Sequence, residues 1–436
     1  MDTKRPESSA SASRIALRAG LAVLALAANA AAGRDFADPV PLPPGAVPPS
    51  ELPPIELVNR AGDPFSLQVD PGQFSIEGDP TGGIVFWDTS GPDAYALTES
   101  FGLEVRDYYG GVCGGEPPHD TCSYTDSFNA WLLCEILNAL DSGCGAEPDT
   151  FMRPPEGSQS YGSILGSDYG RSQFPKQPAL AAVRAKPAHR LATGAGVVVA
   201  VLDTGIDRAH PLLGRRVIDG GWDFVDGDAN PGEAAPDGED QDGDGRADDG
   251  FGHGTTVAGL VLAAAPGTAI LPIRVLDTEG VGSVGRVSSG ILWALDHGAD
   301  VVNLSLGGGD SALVRDALSQ AQDAGVVVVA AAGNGRDRSG VRANIDHPAA
   351  VESVLAVSGG ASFTGDVWAP ARAVIGPYPG DRWYRGTGTS FATALASGGV
   401  ALALQEHPGY GRPEILSLLG ARKARTVPLD LLKLAR

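Results

Sequence analysis

The chain has 436 residues, 43% of which are hydrophobic, so it can bury a packed core and is not a wholly disordered protein. Its 53 acidic residues outnumber its 32 basic residues and give a net charge of −21. This charge repels phosphate backbones and anionic lipids, which argues against nucleic acid or a membrane surface as a partner. It is typical of a soluble exported protein, or of one that captures cations.

The beginning of the chain has the pattern of an export signal. An apolar stretch over residues 21–32 ends in small residues that fit an A-x-A cleavage pattern, and it follows four basic residues, Lys4, Arg5, Arg14 and Arg18. We predict a secretory signal peptide over residues 1–32 and a secreted or periplasmic location. A membrane anchor and a plain alanine-rich helix are the alternatives, although the stretch is short for a bilayer.

A proline-rich linker and a less regular region come next. Residues 33–55 are rich in proline and predict an extended linker. Residues 56–172 contain two stretches with the alternation of strands, 65–69 and 83–87. An apolar segment over residues 128–140 could form a helix. These elements leave the role of the region open.

Four cysteines fall within 32 residues of this region: Cys113, Cys122, Cys134 and Cys144. Their even number and close spacing predict two disulfide bonds in an oxidising compartment, and three pairings are possible. A four-cysteine zinc site is the alternative, but the usual C-x2-C spacing is missing. The cysteines therefore agree with export.

From about residue 177 the pattern becomes regular. Continuous apolar runs indicate strands buried on both faces of a parallel sheet, over residues 196–202, 270–276, 300–306 and 326–331. Helical patterns lie between them, over residues 255–264, 284–296 and 313–324. This alternation predicts a doubly wound, mostly parallel α/β domain over residues 173–436, preceded by the cysteine-containing region. Ligands bind such sheets beyond the carboxyl ends of the strands.

Three short motifs place one reactive side chain each at that edge of the sheet. They are VVVAVLDTGID over residues 197–207, GFGHGTTVAG over residues 250–259 and GTGTSFATA over residues 386–394. Their reactive residues are Asp203, His253 and Ser390. A serine hydroxyl is a weak nucleophile until a base removes its proton, and the base needs an acid to orient and stabilise it. The three residues together predict nucleophilic catalysis by Ser390.

In this order and spacing, the motifs closely resemble those of the subtilisin-like serine proteases, the subtilases, whose signatures are D-T/S-G, H-G-T-x-V-A-G and G-T-S-x-A. The resemblance extends from about residue 177 to the end of the sequence. It implies a subtilisin-like fold and a serine endopeptidase that cleaves polypeptides through an acyl-enzyme, with Asp203, His253 and Ser390 as its triad. In secreted members a propeptide often occupies the position of residues 56–172, so this region is either a propeptide or an accessory domain.

The same resemblance implies residues that bind the substrate and its oxyanion. Asn334, which follows a predicted strand in VVVVAAAGNGR, would donate to the oxyanion, although an ordinary turn is the alternative. An extended substrate backbone would lie against Ser305, Leu306, Gly307 and Gly333.

Asp346 is the predicted determinant of which bond is cut. Residues 345–349 match the aromatic-Pro-Ala return of the family, with His347 in the place of the aromatic residue. Asp346 would then lie at the base of the pocket for the P1 side chain, where a carboxylate favours Arg or Lys. A position in a loop that faces solvent is the alternative.

An acidic loop precedes the histidine motif. Its D-x-D-x-D-G core has the spacing of a calcium loop, with Asp240, Asp242 and Asp244 at ligand positions 1, 3 and 5. Glutamate is missing at position 12, so Asp248 or Asp249 would have to substitute for it. We predict a structural Ca²⁺ held by Asp240, Asp242, Asp244 and Asp248. A solvated acidic loop is the alternative.

Two rival functions remain to be compared with the peptidase. A catalytically silent, subtilase-shaped protein would bind a partner through its acidic loop or its cysteine-rich region, but the complete triad and Asn334 argue against it. An acid-active serine-carboxyl peptidase would need glutamate in the place of His253.

Overall fold

The computed structural model describes residues 150–155, 162–238, 240, 246–334, 345–361, 364–421 and 426–436, together with the backbone of six strands nearer the N-terminus. The predicted signal peptide, most of the linker, the apolar segment 128–140, Cys113 and Cys134 lie outside the described residues. The chain divides into two compact units, residues 1–149 and residues 150–436. The second unit therefore includes residues 150–172, which the sequence pattern groups with the N-terminal region.

The described strands of the first unit form two antiparallel sheets. They are β1 (Ile55–Val58), β2 (Pro64–Leu67), β3 (Ile84–Asp88), β4 (Arg106–Asp107), β5 (Asp120–Tyr124) and β6 (Cys144–Pro148). β1 pairs with β2, and the other four strands form a sheet in the order β4-β5-β3-β6. β2 and β3 correspond to the two strands predicted from alternation.

This sheet limits the pairing of the cysteines. Cys122 of β5 pairs with Phe86 of β3, and Cys144 of β6 pairs with Asp88 of β3. Because neighbouring strands are about 4.8 Å apart, the Cα atoms of the two cysteines are separated by about 10 Å or more across β3. A disulfide joins Cα atoms less than about 7 Å apart. The backbone therefore disfavours a bond between Cys122 and Cys144, which leaves two of the three pairings.

The second unit combines strands and helices. Its described strands are β7 (Phe151–Arg153), β8 (Ser163–Leu165), β9 (Val198–Asp203), β10 (Trp222–Asp223), β11 (Ala269–Arg274), β12 (Gly282–Ser283), β13 (Val301–Leu304), β14 (Gly307–Gly308), β15 (Val327–Ala331), β16 (Leu355–Ser358), β17 (Val367–Trp368), β18 (Val374–Tyr378), β19 (Arg382–Gly386) and β20 (Val427–Pro428). Its described helices are α1 (Ser167–Gln173), α2 (Pro178–Ala182), α3 (Ala185–Ala188), α4 (His253–Ala264), α5 (Val284–Asp296), α6 (Ala312–Asp323), α7 (Thr389–Glu406), α8 (Arg412–Leu419) and α9 (Leu431–Leu434).

Eight of these strands form one parallel sheet in the order β10-β11-β9-β13-β15-β16-β17-β20. Apolar side chains fill β15 completely and β13 except for Asn303, and both strands are buried throughout, as expected for a sheet covered on both faces. The pairing aligns Asp203 with Arg274, and Leu202 with Leu304. The carboxyl ends of the central strands therefore meet at one edge, and the predicted doubly wound α/β fold is confirmed.

The three predicted helices form close to their expected bounds, and two of them have serine caps. α5 has the predicted range, while α4 begins two residues earlier and α6 one residue earlier. The Ser283 hydroxyl accepts a hydrogen bond from the Arg286 N–H, and the Ser311 hydroxyl accepts one from the Val314 N–H. Each cap satisfies a backbone donor that has no partner within the helix.

α7 runs through the interior, where Thr389 through Leu404 are all buried. It crosses α4 at very short range because both helices carry small side chains there. A methyl group on Gly398 would lie 2.6 Å from the Ala264 Cβ atom and 2.6 Å from the Val261 carbonyl oxygen. Glycine is therefore needed at this crossing between the helix that begins at His253 and the helix that contains Ser390.

Two small antiparallel sheets complete the unit, in the orders β12-β7-β14 and β18-β19-β8. Among the helices that the structure describes, none has both the length and the apolar character of a membrane span.

Candidate active site

Asp203 is the last residue of β9, and its side chain is buried at the carboxyl edge of the sheet. The Thr204 N–H donates to Asp203 Oδ1 over 2.8 Å. His253 begins α4, and its Nδ1 atom lies 2.7 Å from the same oxygen. The carboxylate therefore fixes the imidazole through Nδ1 and leaves Nε2 on the far side of the ring.

Gly254 lets these two elements approach each other. A methyl group at this position would lie 2.3 Å from the Gly205 carbonyl oxygen and 3.0 Å from the Asp203 Cβ atom. The Gly254 N–H donates to the Thr204 hydroxyl over 3.0 Å. Because a side chain would push the first turn of α4 away from the loop after β9, the histidine motif requires glycine after His253.

Ser390 is the second residue of α7 and is buried. Its hydroxyl donates to the Ser305 carbonyl oxygen over 3.1 Å, and the Ser305 hydroxyl donates to the Ser390 carbonyl oxygen over 3.2 Å. These bonds join the start of α7 to the end of β13. The first turn of a helix carries a partial positive charge, which stabilises negative charge that develops at a serine oxygen.

Asn334 lies beyond the end of β15 and is exposed. Its Oδ1 atom accepts a hydrogen bond from the Thr389 N–H over 3.1 Å. The bond ties the amide to the residue that precedes Ser390. With Oδ1 engaged in this way, the amide N–H₂ group is the part of the side chain that can donate to a ligand.

The edge strand predicted to bind a peptide backbone is paired in this structure with a segment of the chain itself. β7 lies between β12 and β14 and is antiparallel to both. Arg153 pairs with Gly307, and Met152 pairs with both Gly308 and Gly282. Met152 is 1% exposed. A three-residue strand therefore lies between two glycine-containing edges, one of which is the edge predicted to pair with a substrate.

A cavity of about 280 Å³ continues from this strand to the histidine. His253, Pro154 and Phe391 are among its lining residues, together with the aromatic side chains of Phe251, Tyr378 and Tyr384. Three acidic residues, Asp248, Asp249 and Glu279, also line it. The His253 imidazole thus borders a space that is large enough for one or two amino-acid side chains.

Asp346 lies between the two glycines predicted to border the substrate pocket. A methyl group on Gly333 would lie 2.3 Å from Asp346 Oδ2, and one on Gly307 would lie 3.0 Å from the Asp346 Cβ atom. Partial burial raises the pKa of Asp346, and the nearby His347 lowers it. The sequence-predicted residues Asp346, Gly307 and Gly333 are therefore close together.

The acidic loop is only partly within the described residues. Asp240 and Asp248 are described, whereas Asp242 and Asp244 lie outside the described residues. The Asp248 carboxylate accepts hydrogen bonds from the backbone N–H groups of Asp237 and Gly238. Within the described part of the chain, no three acidic, histidine or cysteine side chains form a group that could hold a metal ion.

Sequence reasoning missed Glu233. Its carboxylate accepts hydrogen bonds from the Thr204 hydroxyl, the Thr255 hydroxyl and the Gly252 N–H, over 2.6, 2.5 and 2.8 Å. Burial raises the pKa of Glu233 to about 7. Glu233 lies outside the three motifs, in a loop between β10 and α4. The only signal in the sequence is an isolated acidic residue upstream of the histidine motif.

The second unit is similar to known proteins in sequence. A model of the subtilase family matches residues 194–427, more than half of the chain. The subtilisin of Bacillus pumilus is 36% identical over 245 residues, which cover 51% of this chain and 82% of that protein. Subtilisin E of Bacillus subtilis (strain 168) is also 36% identical over 245 residues, which cover 59% of its length.

A solved structure shares the fold. The crystal structure of fervidolysin from Fervidobacterium pennivorans matches with a TM-score of 0.64 at 22% sequence identity. The match covers 83% of this chain and 62% of fervidolysin. At this identity the likeness supports the fold alone.

Proposed function

Because the chain belongs to the subtilase family, we propose that it is a serine endopeptidase in which Ser390 is the nucleophile and His253 the base. One observation carries the assignment of residues: His253 Nδ1 lies 2.7 Å from Asp203 Oδ1 at the sheet edge where α7 presents Ser390. The comparisons do not favour a catalytically silent binding protein.

Acylation of the enzyme would begin at the serine hydroxyl. The Ser390 hydroxyl turns from the Ser305 carbonyl oxygen to His253 Nε2 when a peptide binds, and its oxygen bonds to the scissile carbonyl carbon as the proton passes to Nε2. Asp203 stabilises the resulting imidazolium. The imidazolium gives its proton to the leaving amine, the C–N bond breaks and an ester remains on the serine. The same base then activates water, which hydrolyses the ester.

Asn334 is the proposed side-chain donor to the tetrahedral oxyanion, together with the Ser390 N–H at the start of α7. The bond from the Thr389 N–H to Asn334 Oδ1 supports this role, because it orients the amide relative to the nucleophile. A preorganised donor of this kind contributes about 100- to 1000-fold to the rate.

Peptide substrates would bind as an extended strand between β12 and β14. The pairing of β7 supports this mode, since it uses the backbone groups of Gly282, Gly307 and Gly308. Ser305 and Leu306 are buried beside this edge and would keep it in position.

The same pairing supports production as a precursor. While β7 fills the strand position, a substrate cannot pair with Gly307, so the segment around Met152 would keep the peptidase inactive until it is displaced or removed. We assign residues 56–172 to this propeptide or accessory role, with residues 173–436 as the peptidase domain.

The P1 pocket would prefer basic side chains. The Asp346 carboxylate lies against Gly333 and Gly307, which supports its position at the pocket base. An ionised carboxylate there would form a charge-assisted hydrogen bond with Arg or Lys.

Calcium and export complete the proposal. Asp240, Asp242, Asp244 and Asp248 would hold a structural Ca²⁺ through oxygen ligands, which are the ligands that this cation prefers. The signal-like N-terminus and the four cysteines support secretion, with the disulfides Cys113–Cys122 and Cys134–Cys144, or Cys113–Cys144 and Cys122–Cys134.

The activity is tested by labelling the purified chain with a fluorophosphonate, which bonds covalently to an activated serine. Once the segment around Met152 has been displaced or removed, we expect wild type to label and to cleave casein, and Ser390→Ala to do neither while keeping its melting temperature within a few degrees. Ser397→Ala is a matched control, because Ser397 is a buried serine of the same helix. Casein cleavage by folded Ser390→Ala at the wild-type rate would refute the mechanism.

A further inference from the structure

We propose that Glu233 is a positioning residue of the peptidase, whose carboxylate holds the loop after Asp203 against the helix that begins at His253. The inference rests on the proposed function, since it concerns the same catalytic pair. It adds a fourth side chain on which the alignment of the triad depends.

The hydrogen bonds of the carboxylate join two separate elements. Oε1 accepts from the Thr204 hydroxyl over 2.6 Å and from the Gly252 N–H over 2.8 Å. Oε2 accepts from the Thr255 hydroxyl over 2.5 Å. Thr204 follows Asp203 directly, while Gly252 and Thr255 flank the first turn of α4. One carboxylate thus connects both sides of the aspartate–histidine contact.

The two threonine hydroxyls extend this connection. The Thr204 hydroxyl accepts from the Gly254 N–H over 3.0 Å, and the Thr255 hydroxyl accepts from the Asp207 N–H over 2.9 Å. The N-cap residue of α4 is Gly252, which has no side chain to satisfy the backbone donors of the first turn. Glu233 and Thr204 supply acceptors to two of these donors, as an N-cap side chain would.

The backbone around Glu233 is itself seated on the aspartate loop. The Ile206 N–H donates to the Pro231 carbonyl oxygen over 3.1 Å. A methyl group on Gly205 would lie 2.3 Å from the Gly232 carbonyl oxygen. Because the residues that precede Glu233 are held against the aspartate loop, we expect loss of the carboxylate to alter the position of the loop and of the helix.

The charge of Glu233 also acts on the catalytic pair. Burial raises the pKa of this carboxyl to about 7; its three hydrogen bonds lower it, and the negative charge of Asp203 raises it. The titratable groups that interact with it are Asp203 at the end of β9 and Tyr378 in β18, whose pKa is raised by burial and by Glu233. His253 directly follows Gly252, whose N–H donates to this carboxylate. When ionised, Glu233 stabilises the imidazolium of His253, as Asp203 does.

The test compares Glu233→Gln, Glu233→Ala and wild type by hydrolysis of a peptide ester and by the rate of fluorophosphonate labelling from pH 5 to 9. Glutamine keeps an acceptor for Thr204 and Gly252 but removes the charge, whereas alanine removes both. Asp366→Asn is the control, because Asp366 is a carboxylate that accepts the Ala356 N–H and pairs with Arg412 elsewhere in the sheet.

We expect Glu233→Ala to lose roughly 10- to 100-fold in kcat with little change in KM, the size of effect that a misplaced catalytic group causes. Glu233→Gln should retain more of kcat. The acid limb of its pH–rate profile should move to lower pH by several tenths of a unit, because the imidazolium of His253 loses a stabilising charge. Asp366→Asn should lower the stability of the fold but leave kcat and the acid limb of the pH–rate profile as in wild type.

A folded Glu233→Ala variant with wild-type kcat would overturn the proposal, and so would a Glu233→Gln variant whose acid limb coincides with that of wild type. The labelling separates this result from failure of the proposed function. If wild type is not labelled at Ser390 even after the segment around Met152 has been removed, the peptidase assignment is wrong. If wild type is labelled and the variants match it, only the role of Glu233 is wrong.

Discussion

Replacement of Met152 with alanine should activate the unprocessed chain. Met152 is 1% exposed in β7, between the glycines of β12 and β14, so its side chain is a main apolar contact of the segment in the cleft. Truncation of a buried methionine to alanine costs about 2–5 kcal/mol, and we take about 2–3 kcal/mol because β7 is a short strand. Since about 1.4 kcal/mol corresponds to a factor of ten, the population of molecules in which β7 has left its place between β12 and β14 should rise about 30- to 150-fold.

The assay is the initial rate of hydrolysis of a fluorogenic peptide by intact full-length protein, with the mass of the chain checked before and after. Leu318→Ala is the matched control, because Leu318 is 1% exposed in α6 and its truncation destabilises the unit without touching the cleft. We expect a higher rate only for Met152→Ala. Equal rates for folded Met152→Ala and wild type would refute the proposal that β7 blocks the position where a substrate strand would pair.

The remaining predictions concern specificity and calcium. Asp346→Ala should reduce the preference for Arg or Lys over Leu at P1 by about 10- to 100-fold in a peptide library, the value of a charge-assisted hydrogen bond of about 1.5–3 kcal/mol. In wild type the preference should grow as pH rises through the raised pKa of Asp346, since only the ionised carboxylate attracts a cation; a preference independent of pH and of the substitution would contradict this. Chelation should lower the melting temperature, and calcium at about 100 times its dissociation constant should stabilise the fold by about 2.7 kcal/mol. Conversion of Asp240, Asp242 and Asp244 to asparagine should remove this dependence, and identical melting curves with calcium and with chelator would refute the site.

The sequence predicted the parallel sheet well because its strands carry a strong local signal. β15 is a continuous apolar run and β13 is apolar except for Asn303, while α5 and α6 have clear amphipathic patterns with serine caps. The order of the motifs also indicated that Asp203 and His253 meet, since a strand end and a helix start converge at the carboxyl edge of such a sheet. The structure brings them to 2.7 Å.

The remaining features depend on contacts between distant parts of the chain. β7 has three residues followed by prolines, and its pairing partners lie more than 120 residues further along the sequence, so no local periodicity indicates it. Glu233 is recognisable only once the loop after β9 and the first turn of α4 are seen on either side of its carboxylate. The roles of β7 and Glu233 therefore follow from tertiary packing, and residue type alone does not predict them.

The close crossing of α4 and α7 separates positions of the chain that tolerate substitution from positions that do not. The contact at Gly398 lies eight residues from Ser390, and Ala264 lies eleven residues from His253, about 12 and 16 Å along the helices. The spacing of the two proposed catalytic groups is thus set deep in the interior, at buried positions of both helices. Under the proposed function, substitutions in a loop such as the one that carries Asp346 would change which peptides are cut, while the interior crossing would keep the proposed catalytic groups in place.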